Sequence, residues 1–323
     1  MSRRKNDLSQ RLEAVIKTLV PQQEQNPDDL GPMMRAIKAV HSISDHTSTT
    51  PEDLERQRAA EELFARLVTP GIGIRSDSLT VGSIPAEWVS LEHGHDRRHA
   101  VLYCHGGGYT SGNLGYARVL ASKLAHVTGY DVLSFEYRLA PEHPYPAAVE
   151  DALRAWDHLM LLGYGARDVV LAGDSAGGNL ALVLCHRLKA AGRRLPGALV
   201  LMSPWTDMTM SGASYAERAE SDPMLTPEYI EAVRTAYAGG RDYASPDLSP
   251  LFADLTGFPP TLIQAGDHEI LYSDAEMLCH ALERAGIPCR FEVSEGMWHV
   301  FQMFPLRKAA AAMESVARFL LER

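Results

Sequence analysis

The sequence predicts an α/β fold with a mainly parallel central sheet flanked by helices, and three observations support this prediction. After residue 70, short apolar runs alternate with longer segments of helical periodicity. The runs at 169–172 and 199–202 are apolar along their whole length, which is typical of strands buried on both faces. The first 70 residues show helical patterns instead. We therefore predict a helical segment over residues 1–70 and an α/β domain over residues 71–323.

The N-terminal segment contains three candidate helices. Apolar residues recur on one helical face over Leu8–Leu19, and a second apolar face covers Met33–Val40. A third helix is predicted from Pro51, with Thr50 as its N-cap, to about Leu67. Such apolar stripes are most often packing surfaces, and a lid over a pocket is the alternative.

The elements of the α/β domain follow in chain order. Strands are predicted at Leu79–Leu91, His99–Cys104, Asp131–Glu136, Val169–Ala172, Ala198–Ser203, Thr261–Ala265 and Cys289–Val293. Helices are predicted at Tyr116–His126, Ala147–Leu162, Ala176–Ala190, Ser273–Ala285 and Pro305–Leu321, with a helical and loop region at Thr209–Tyr237. Strands that alternate with helices in this way form βαβ units, whose neighbouring strands are parallel.

Composition and charge exclude several classes of protein. The 31 Lys and Arg against 41 Asp and Glu give a net charge of −10, so the chain repels phosphate backbones and we expect no nucleic-acid partner. The most apolar stretch, 169–185, is interrupted by polar residues, and we expect no membrane span. The segment Leu8–Val20 carries three charged residues and is no signal core.

The cysteines and histidines indicate neither a disulfide scaffold nor a metal site. The four cysteines are scattered and form no CxxC pair, so we expect small buried apolar side chains in a reducing cytoplasm. His93, His95 and His99 lie close together, but we interpret the segment as a polar hairpin turn on the surface, because it lacks the rigid spacing of a metal site. No metal or organic cofactor is expected.

The motif GDSAG at residues 173–177 matches G-x-S-x-G. It directly follows an apolar strand and opens an apolar helix, which is the setting of a nucleophile elbow. The glycines allow a tight, strained turn that exposes Ser175 above the sheet. A glycine-rich turn with a capping serine is the alternative, and the next motif argues against it.

The motif HGGG at residues 105–108 follows the strand that ends at Cys104. Three glycines let the backbone approach a substrate with free N–H groups, and acyl transfer needs such donors where negative charge develops. The donors of this oxyanion hole are predicted to be the N–H groups of Gly107, Gly108 and Ala176. A phosphate-binding loop is poorly supported, because no Lys-Ser/Thr pair follows.

With these motifs, the sequence resembles the hormone-sensitive-lipase-like esterases of the α/β-hydrolase fold. The resemblance covers residues 101–299 and is carried by HGGG, by YRLAPE at 137–142, by PAA at 146–148 and by GDSAGG at 173–178, with SPW at 203–205 and SDPM at 221–224 less specific. It implies that residues 1–70, with part of about 206–240, form a helical cap. It also implies a polar network of Arg138, Glu142 and His143, and a homodimer.

A serine nucleophile needs a base and an orienting carboxylate, which follow it in the order acid, then histidine, in this fold. His299 lies after the last strand, as the family's catalytic histidine does, and His268 and His280 are its nearest rivals. The resemblance favours Glu269 as the acid, with glutamate where the family has aspartate. Asp267 is the runner-up, and Asp274 is read as a helix-capping group.

These residues predict a serine carboxylesterase that forms an acyl-enzyme on Ser175 and hydrolyses short- to medium-chain carboxylic esters. The pocket is expected to be lined by aromatic and apolar side chains: Tyr109, Trp205, Met224 and Phe301. An amide, lactone or thioester hydrolase with the same triad is the first alternative. A non-catalytic receptor for a small ligand is a further one, although such a receptor typically lacks a catalytic residue.

Overall fold

The computed structural model describes residues 49–67, 73–94 and 96–322, so the predicted helical faces over 8–19 and 33–40 lie outside the described residues. One eight-stranded sheet has the order β1-β2-β4-β3-β5-β6-β7-β8. Its strands are β1 Ile74–Val81, β2 Ile84–Leu91, β3 Asp96–Cys104, β4 Tyr130–Phe135, β5 Val169–Asp174, β6 Ala198–Met202, β7 Thr261–Gly266 and β8 Cys289–Ser294. The neighbouring pairs β3/β4, β3/β5, β5/β6, β6/β7 and β7/β8 are parallel, and β1/β2 and β2/β4 are antiparallel. This arrangement confirms the predicted, mainly parallel sheet.

Eight α-helices accompany these strands among the described residues. They are α1 Pro51–Leu67, α2 Leu114–Thr128, α3 Ala147–Leu161, α4 Ala176–Ala190, α5 Ser214–Glu217, α6 Pro227–Ala238, α7 Tyr272–Arg284 and α8 Arg307–Leu321. The single strand predicted over Leu79–Leu91 is wrong, because a turn at Gly82, with φ 62°, folds this segment into the β1/β2 hairpin. No helix in the described part of the chain is long and apolar enough to cross a membrane.

The sheet separates two hydrophobic cores. One core contains Trp156 of α3 and Leu180 of α4, and the other contains Leu124 of α2 and Val316 of α8. The first four residues of β5 alternate between the two cores, and all six residues of that strand are buried. This two-sided burial explains the uniformly apolar run, and it places the end of β5 at the centre of the fold.

Two expectations need correction. Cys279 and Cys289 are joined in a disulfide between α7 and β8, with Cα atoms 5.8 Å apart, whereas Cys104 and Cys185 are buried free thiols as expected. The predicted polar network of Arg138, Glu142 and His143 is wrong, because two separate pairings replace it. Arg138 binds Glu150 and the buried Asp151, and Glu142 pairs with Arg58 of α1.

Candidate active site

Ser175 lies in a strained turn between β5 and α4. Its backbone angles are φ 53° and ψ −123°, which lie in a region that residues other than glycine rarely adopt. A Cβ atom on Gly177 would lie 2.0 Å from the carbonyl oxygen of Cys104, and one on Gly173 would lie 2.3 Å from the carbonyl oxygen of Gly177. Close backbone packing therefore requires both glycines of the motif.

The HGGG loop follows β3 and packs against this turn. The N–H of Gly106 donates to Asp174 Oδ1 at 2.9 Å, so this donor is already used. Gly107 and Gly108 have φ values of 108° and 59°. Among the described residues, the N–H groups of Gly107, Gly108 and Ala176 donate no backbone hydrogen bond, which leaves these three available to a ligand.

Asp174 links the loop and the turn, a role that the sequence reasoning missed. Besides Gly106, its buried carboxylate accepts hydrogen bonds from the hydroxyl groups of Tyr103 and Tyr116. Burial raises the pKa of Asp174, and these donors oppose the shift by favouring the carboxylate. The position of Asp174 inside the GDSAG motif is the signal that could have indicated this role.

On the other side of Ser175, the loops after β7 and β8 bring a histidine and a carboxylate together. His299 Nδ1 lies 3.2 Å from Glu269 Oε2, and the two side chains are 5% and 0% exposed. Asp267 instead accepts from the N–H of Gly296 at 2.6 Å. Asp274 accepts from Thr206 and Asp207. Of the three carboxylates considered from the sequence, Glu269 is therefore the one that contacts His299.

Asp222 is a second buried carboxylate beside this pair. Its Oδ2 accepts from the N–H of Ile270 at 2.9 Å, and its Oδ1 accepts from the N–H groups of Met224 and Leu225. Burial raises its pKa to about 6, and the attraction of His299 works against that shift. The bond to Ile270 fixes the backbone next to Glu269. The SDPM motif was the available signal, but it did not indicate this contact.

Two interactions connect the loop that carries His299 with Asp174 at the end of β5 and with Ser203, which follows β6. His299 is near enough to Asp174 to lower its pKa electrostatically, and the N–H of Val300 donates to Ser203 Oγ at 3.0 Å. A hydrogen bond between the Ser175 hydroxyl and His299 is absent from the described contacts. Such catalytic hydrogen bonds are often long in a free enzyme and shorten in the complex.

The four predicted pocket residues differ in their access to a ligand. Tyr109, Trp205 and Phe301 are at most 1% exposed. Tyr109 donates its hydroxyl to Asn179 at 2.7 Å and stacks on Tyr237. Met224 is partly exposed, and it is therefore the one of the four that presents surface in this structure.

Residues 93–94 lie on the exposed connection between β2 and β3, and residues 96–99 are the first residues of β3. Because β2 and β3 are not neighbours in the sheet, the hairpin turn predicted there is wrong. His99 contacts Asp96 at 2.8 Å and stacks on Tyr130, and His95 lies outside the described residues. Within the described ranges, no group of three or more His, Cys, Asp or Glu side chains is arranged to hold a metal ion.

Comparison with known proteins identifies the class of protein to which this chain belongs. Residues 101–303 match a family described as the alpha/beta hydrolase fold. An acetyl-hydrolase of Streptomyces hygroscopicus is 38% identical over 295 residues, which cover 90% of this chain and 96% of that protein. An esterase of Acinetobacter venetianus is 36% identical over 222 residues, or 68% of this chain and 73% of that protein.

A solved structure extends the match to the whole architecture. An esterase from the bacterial hormone-sensitive lipase family superposes with a TM-score of 0.83 at 35% identity, covering 90% of this chain and 98% of that chain. The chain belongs to the α/β-hydrolase family and, within it, to the esterases of the hormone-sensitive lipase family. The predictions of the fold, of the family and of a carboxylic ester hydrolase are confirmed.

Proposed function

We propose that the protein hydrolyses short- to medium-chain carboxylic esters through an acyl-enzyme on Ser175. The observation that carries this proposal is the buried His299–Glu269 pair, 3.2 Å apart, whose histidine interacts electrostatically with Asp174, the residue before Ser175 in its strained turn. A buried carboxylate on Nδ1 favours the tautomer that leaves Nε2 free to accept a proton. This is the arrangement that activates a serine hydroxyl.

In the first half of the reaction, Ser175 Oγ attacks the ester carbonyl carbon while His299 Nε2 takes the hydroxyl proton. Negative charge develops on the carbonyl oxygen, and the N–H groups of Gly107, Gly108 and Ala176 stabilise it. Glu269 stabilises the imidazolium form of His299. The imidazolium then gives its proton to the departing alcohol, which leaves the acyl group on Ser175.

In the second half, water replaces the alcohol. His299 accepts a proton from water, whose oxygen attacks the acyl carbon, and the proton then passes to Ser175 Oγ as the acid departs. All of these proton transfers use residues of this chain.

The preference for short and medium chains is supported by the position of α1 and α6. Gln57 of α1 contacts both Ser111, which follows the HGGG loop, and Tyr229 of α6. The Tyr229 hydroxyl lies 2.9 Å from the point where a Cβ atom on Gly108 would be. Two helices of the proposed cap therefore lie against the oxyanion loop, which limits the space for a long acyl chain.

The test measures initial rates on p-nitrophenyl acetate, butyrate, octanoate and palmitate for wild type and Ser175→Ala. We expect the rate to peak between acetate and octanoate, and the variant to lose at least about a thousandfold, as removal of a triad nucleophile does. Ser78→Ala, which changes an exposed serine of β1, is the matched control.

Two outcomes would contradict the proposal. A Ser175→Ala variant as active as wild type would remove Ser175 as the nucleophile. Wild type without activity on any ester would favour an amide, lactone or thioester substrate, or a receptor. Labelling of Ser175 by a fluorophosphonate would then separate the hydrolases from a receptor, because the reagent needs an activated serine. The cytoplasmic location and the homodimer stay predictions, the latter testable by size-exclusion chromatography.

A further inference from the structure

A tight turn after the HGGG motif holds the Gly107 carbonyl in place. That oxygen accepts from the N–H of Thr110 at 3.0 Å, from the N–H of Ser111 at 2.9 Å, from the Ser111 hydroxyl at 3.0 Å and from the Thr110 hydroxyl at 3.4 Å. Because the peptide unit is planar and trans, the following N–H, that of Gly108, points the opposite way from this carbonyl. These four donors therefore also fix the direction of the Gly108 N–H.

Helix α1 reaches this turn from outside the catalytic domain through Gln57. The side chain of Gln57 is 9% exposed. Its Nε2 lies 3.3 Å from Ser111 Oγ and 3.3 Å from the Tyr229 hydroxyl. Since the Ser111 hydroxyl donates to the Gly107 carbonyl, its oxygen is the acceptor for Gln57. The amide thus holds the hydroxyl in its donating orientation.

The side chain of the next residue of α1, Arg58, binds the backbone of the same turn. Arg58 Nε donates to the carbonyl of Thr110 at 2.8 Å, and Arg58 Nη2 donates to the carbonyl of Ala140 at 3.2 Å. Its ion pair with Glu142, at 2.7 Å, is part exposed and adds little by itself. Two consecutive residues of one helix therefore contact two consecutive residues of the turn, Thr110 and Ser111.

From these contacts we propose that Gln57 is a positioning residue for the oxyanion hole, acting through Ser111 on the Gly107–Gly108 peptide. The inference rests on the proposed function, in which the Gly108 N–H stabilises the developing oxyanion. Donors of this kind act through being held in place before charge develops. Loosening them weakens binding of the transition state while substrate binding stays nearly constant.

The test compares Gln57→Leu, which keeps the size of the side chain and removes its amide, with Ser111→Ala and with the double variant. The control is Arg56→Leu on the same helix, because the ion pairs that Arg56 makes among the described residues are with Glu52 and Asp53 of that helix. The readouts are kcat and KM on the best p-nitrophenyl ester, and Ki for a trifluoromethyl ketone of matching chain length, whose serine adduct places an oxyanion in the hole.

We expect Gln57→Leu to lower kcat about tenfold and raise the Ki of the ketone about tenfold, with KM within about twofold of wild type. The kcat of the double variant should lie within about twofold of that of the more impaired single variant, because both residues act through one chain of hydrogen bonds. A kcat within about twofold of wild type for Gln57→Leu, or a change confined to KM, would overturn the proposal.

A second readout separates this proposal from the proposed function. Amide hydrogen exchange of the segment 105–112 reports how firmly the loop is held, whether or not the chain cleaves esters. We expect faster exchange there in Gln57→Leu than in Arg56→Leu. Equal exchange in the two variants would overturn the positioning role. If wild type hydrolyses no ester but exchange is still faster in Gln57→Leu than in Arg56→Leu, the proposed esterase reaction is rejected. The positioning of the loop by α1 is then retained.

Discussion

Apart from the Ser175 hydroxyl, backbone groups form the β3–β5 side of the candidate active site, whereas two side chains form the β7–β8 side. On the first side, Gly106 and Gly177 are packed so closely that an added Cβ atom would lie 2.3 Å from Asp174 Oδ2 and 2.0 Å from the Cys104 carbonyl oxygen. On the second side, His299 and Glu269 meet through their side chains at 3.2 Å. This difference predicts that substitutions of the closely packed glycines on the first side disturb the fold, whereas substitutions of His299 or Glu269 on the second side disturb activity alone.

The sharpest test of the second side is Glu269→Gln. The amide keeps the shape of the buried carboxylate but removes the charge that stabilises the imidazolium, and it can present an N–H to His299 Nδ1. We expect kcat to fall about a thousandfold, since a comparable change of a triad acid gives losses of this order or larger. Steady-state kinetics measures the loss, and the thermal midpoint should change little.

Asp267→Asn is the matched control for this prediction. Asp267 accepts from the N–H of Gly296 and lies two residues before Glu269. Its substitution should leave kcat within about threefold of wild type, because it removes no group that touches His299. The reverse pattern, with Asp267→Asn inactive and Glu269→Gln active, would transfer the role of the acid to Asp267.

Gly177→Ala tests the first side. The added methyl group would overlap backbone carbonyl oxygens of Cys104 and His105, at 2.0 and 2.4 Å, which cannot rotate away. We expect a loss of more than about 3 kcal/mol in the free energy of unfolding, at the upper end of overpacking effects. Urea denaturation measures it.

Gly163→Ala is the comparison for the cost of backbone conformation alone. Gly163 has φ 94° and nothing within 4 Å of an added Cβ atom, so only the strain of about 1 kcal/mol is expected. Equal losses for the two variants would show that close packing at Gly177 contributes nothing. The contrast between the two sides of the site would then fail.

The same contrast explains how far the sequence could be interpreted. A backbone site demands glycine at fixed positions, so HGGG and GDSAG marked the loop and the turn directly. The acid had to be chosen among Asp267, Glu269 and Asp274 because each lies near the end of β7. Only the three-dimensional path of the loop decides which of them faces His299.

Other features had no sequence signal of comparable strength. The contact of Asp222 with Ile270 and that of Gln57 with Ser111 join residues 48 and 54 positions apart. Neither pair belongs to one motif, and a single hydrogen bond between distant segments leaves no periodicity to detect. The pairing of Cys279 with Cys289 was missed because four scattered cysteines without a CxxC pair are typical of free thiols rather than of a disulfide scaffold.

After the effects expected at Glu269 and Gly177, the smaller effect within the site concerns His105, the first residue of HGGG, and acts through pH. His105 is fully buried, stacks on Tyr137 and has Nδ1 2.8 Å from the Gly106 carbonyl oxygen. Its Nε2 has no hydrogen-bond partner among the described residues, so a second N–H would be buried without an acceptor. Burial accordingly lowers the pKa of His105 to about 4.

Because the unfolded histidine takes up its proton near pH 6.5 and the folded one near pH 4, the unfolded state binds more protons between these values. The contribution of the neutral His105 imidazole to the free energy of unfolding is therefore fully present above pH 6.5. It is lost as the pH falls to about 4, by about 3 kcal/mol in total. His105→Phe keeps the ring stacking but cannot titrate. Its free energy of unfolding, measured in urea from pH 7.5 to 4, should fall by about 3 kcal/mol less than that of wild type. His93→Gln, at an exposed position of the β2–β3 turn, should follow wild type. Parallel curves for wild type and His105→Phe would show that His105 becomes protonated without cost in the folded state, and that the backbone side of the site tolerates a buried charge.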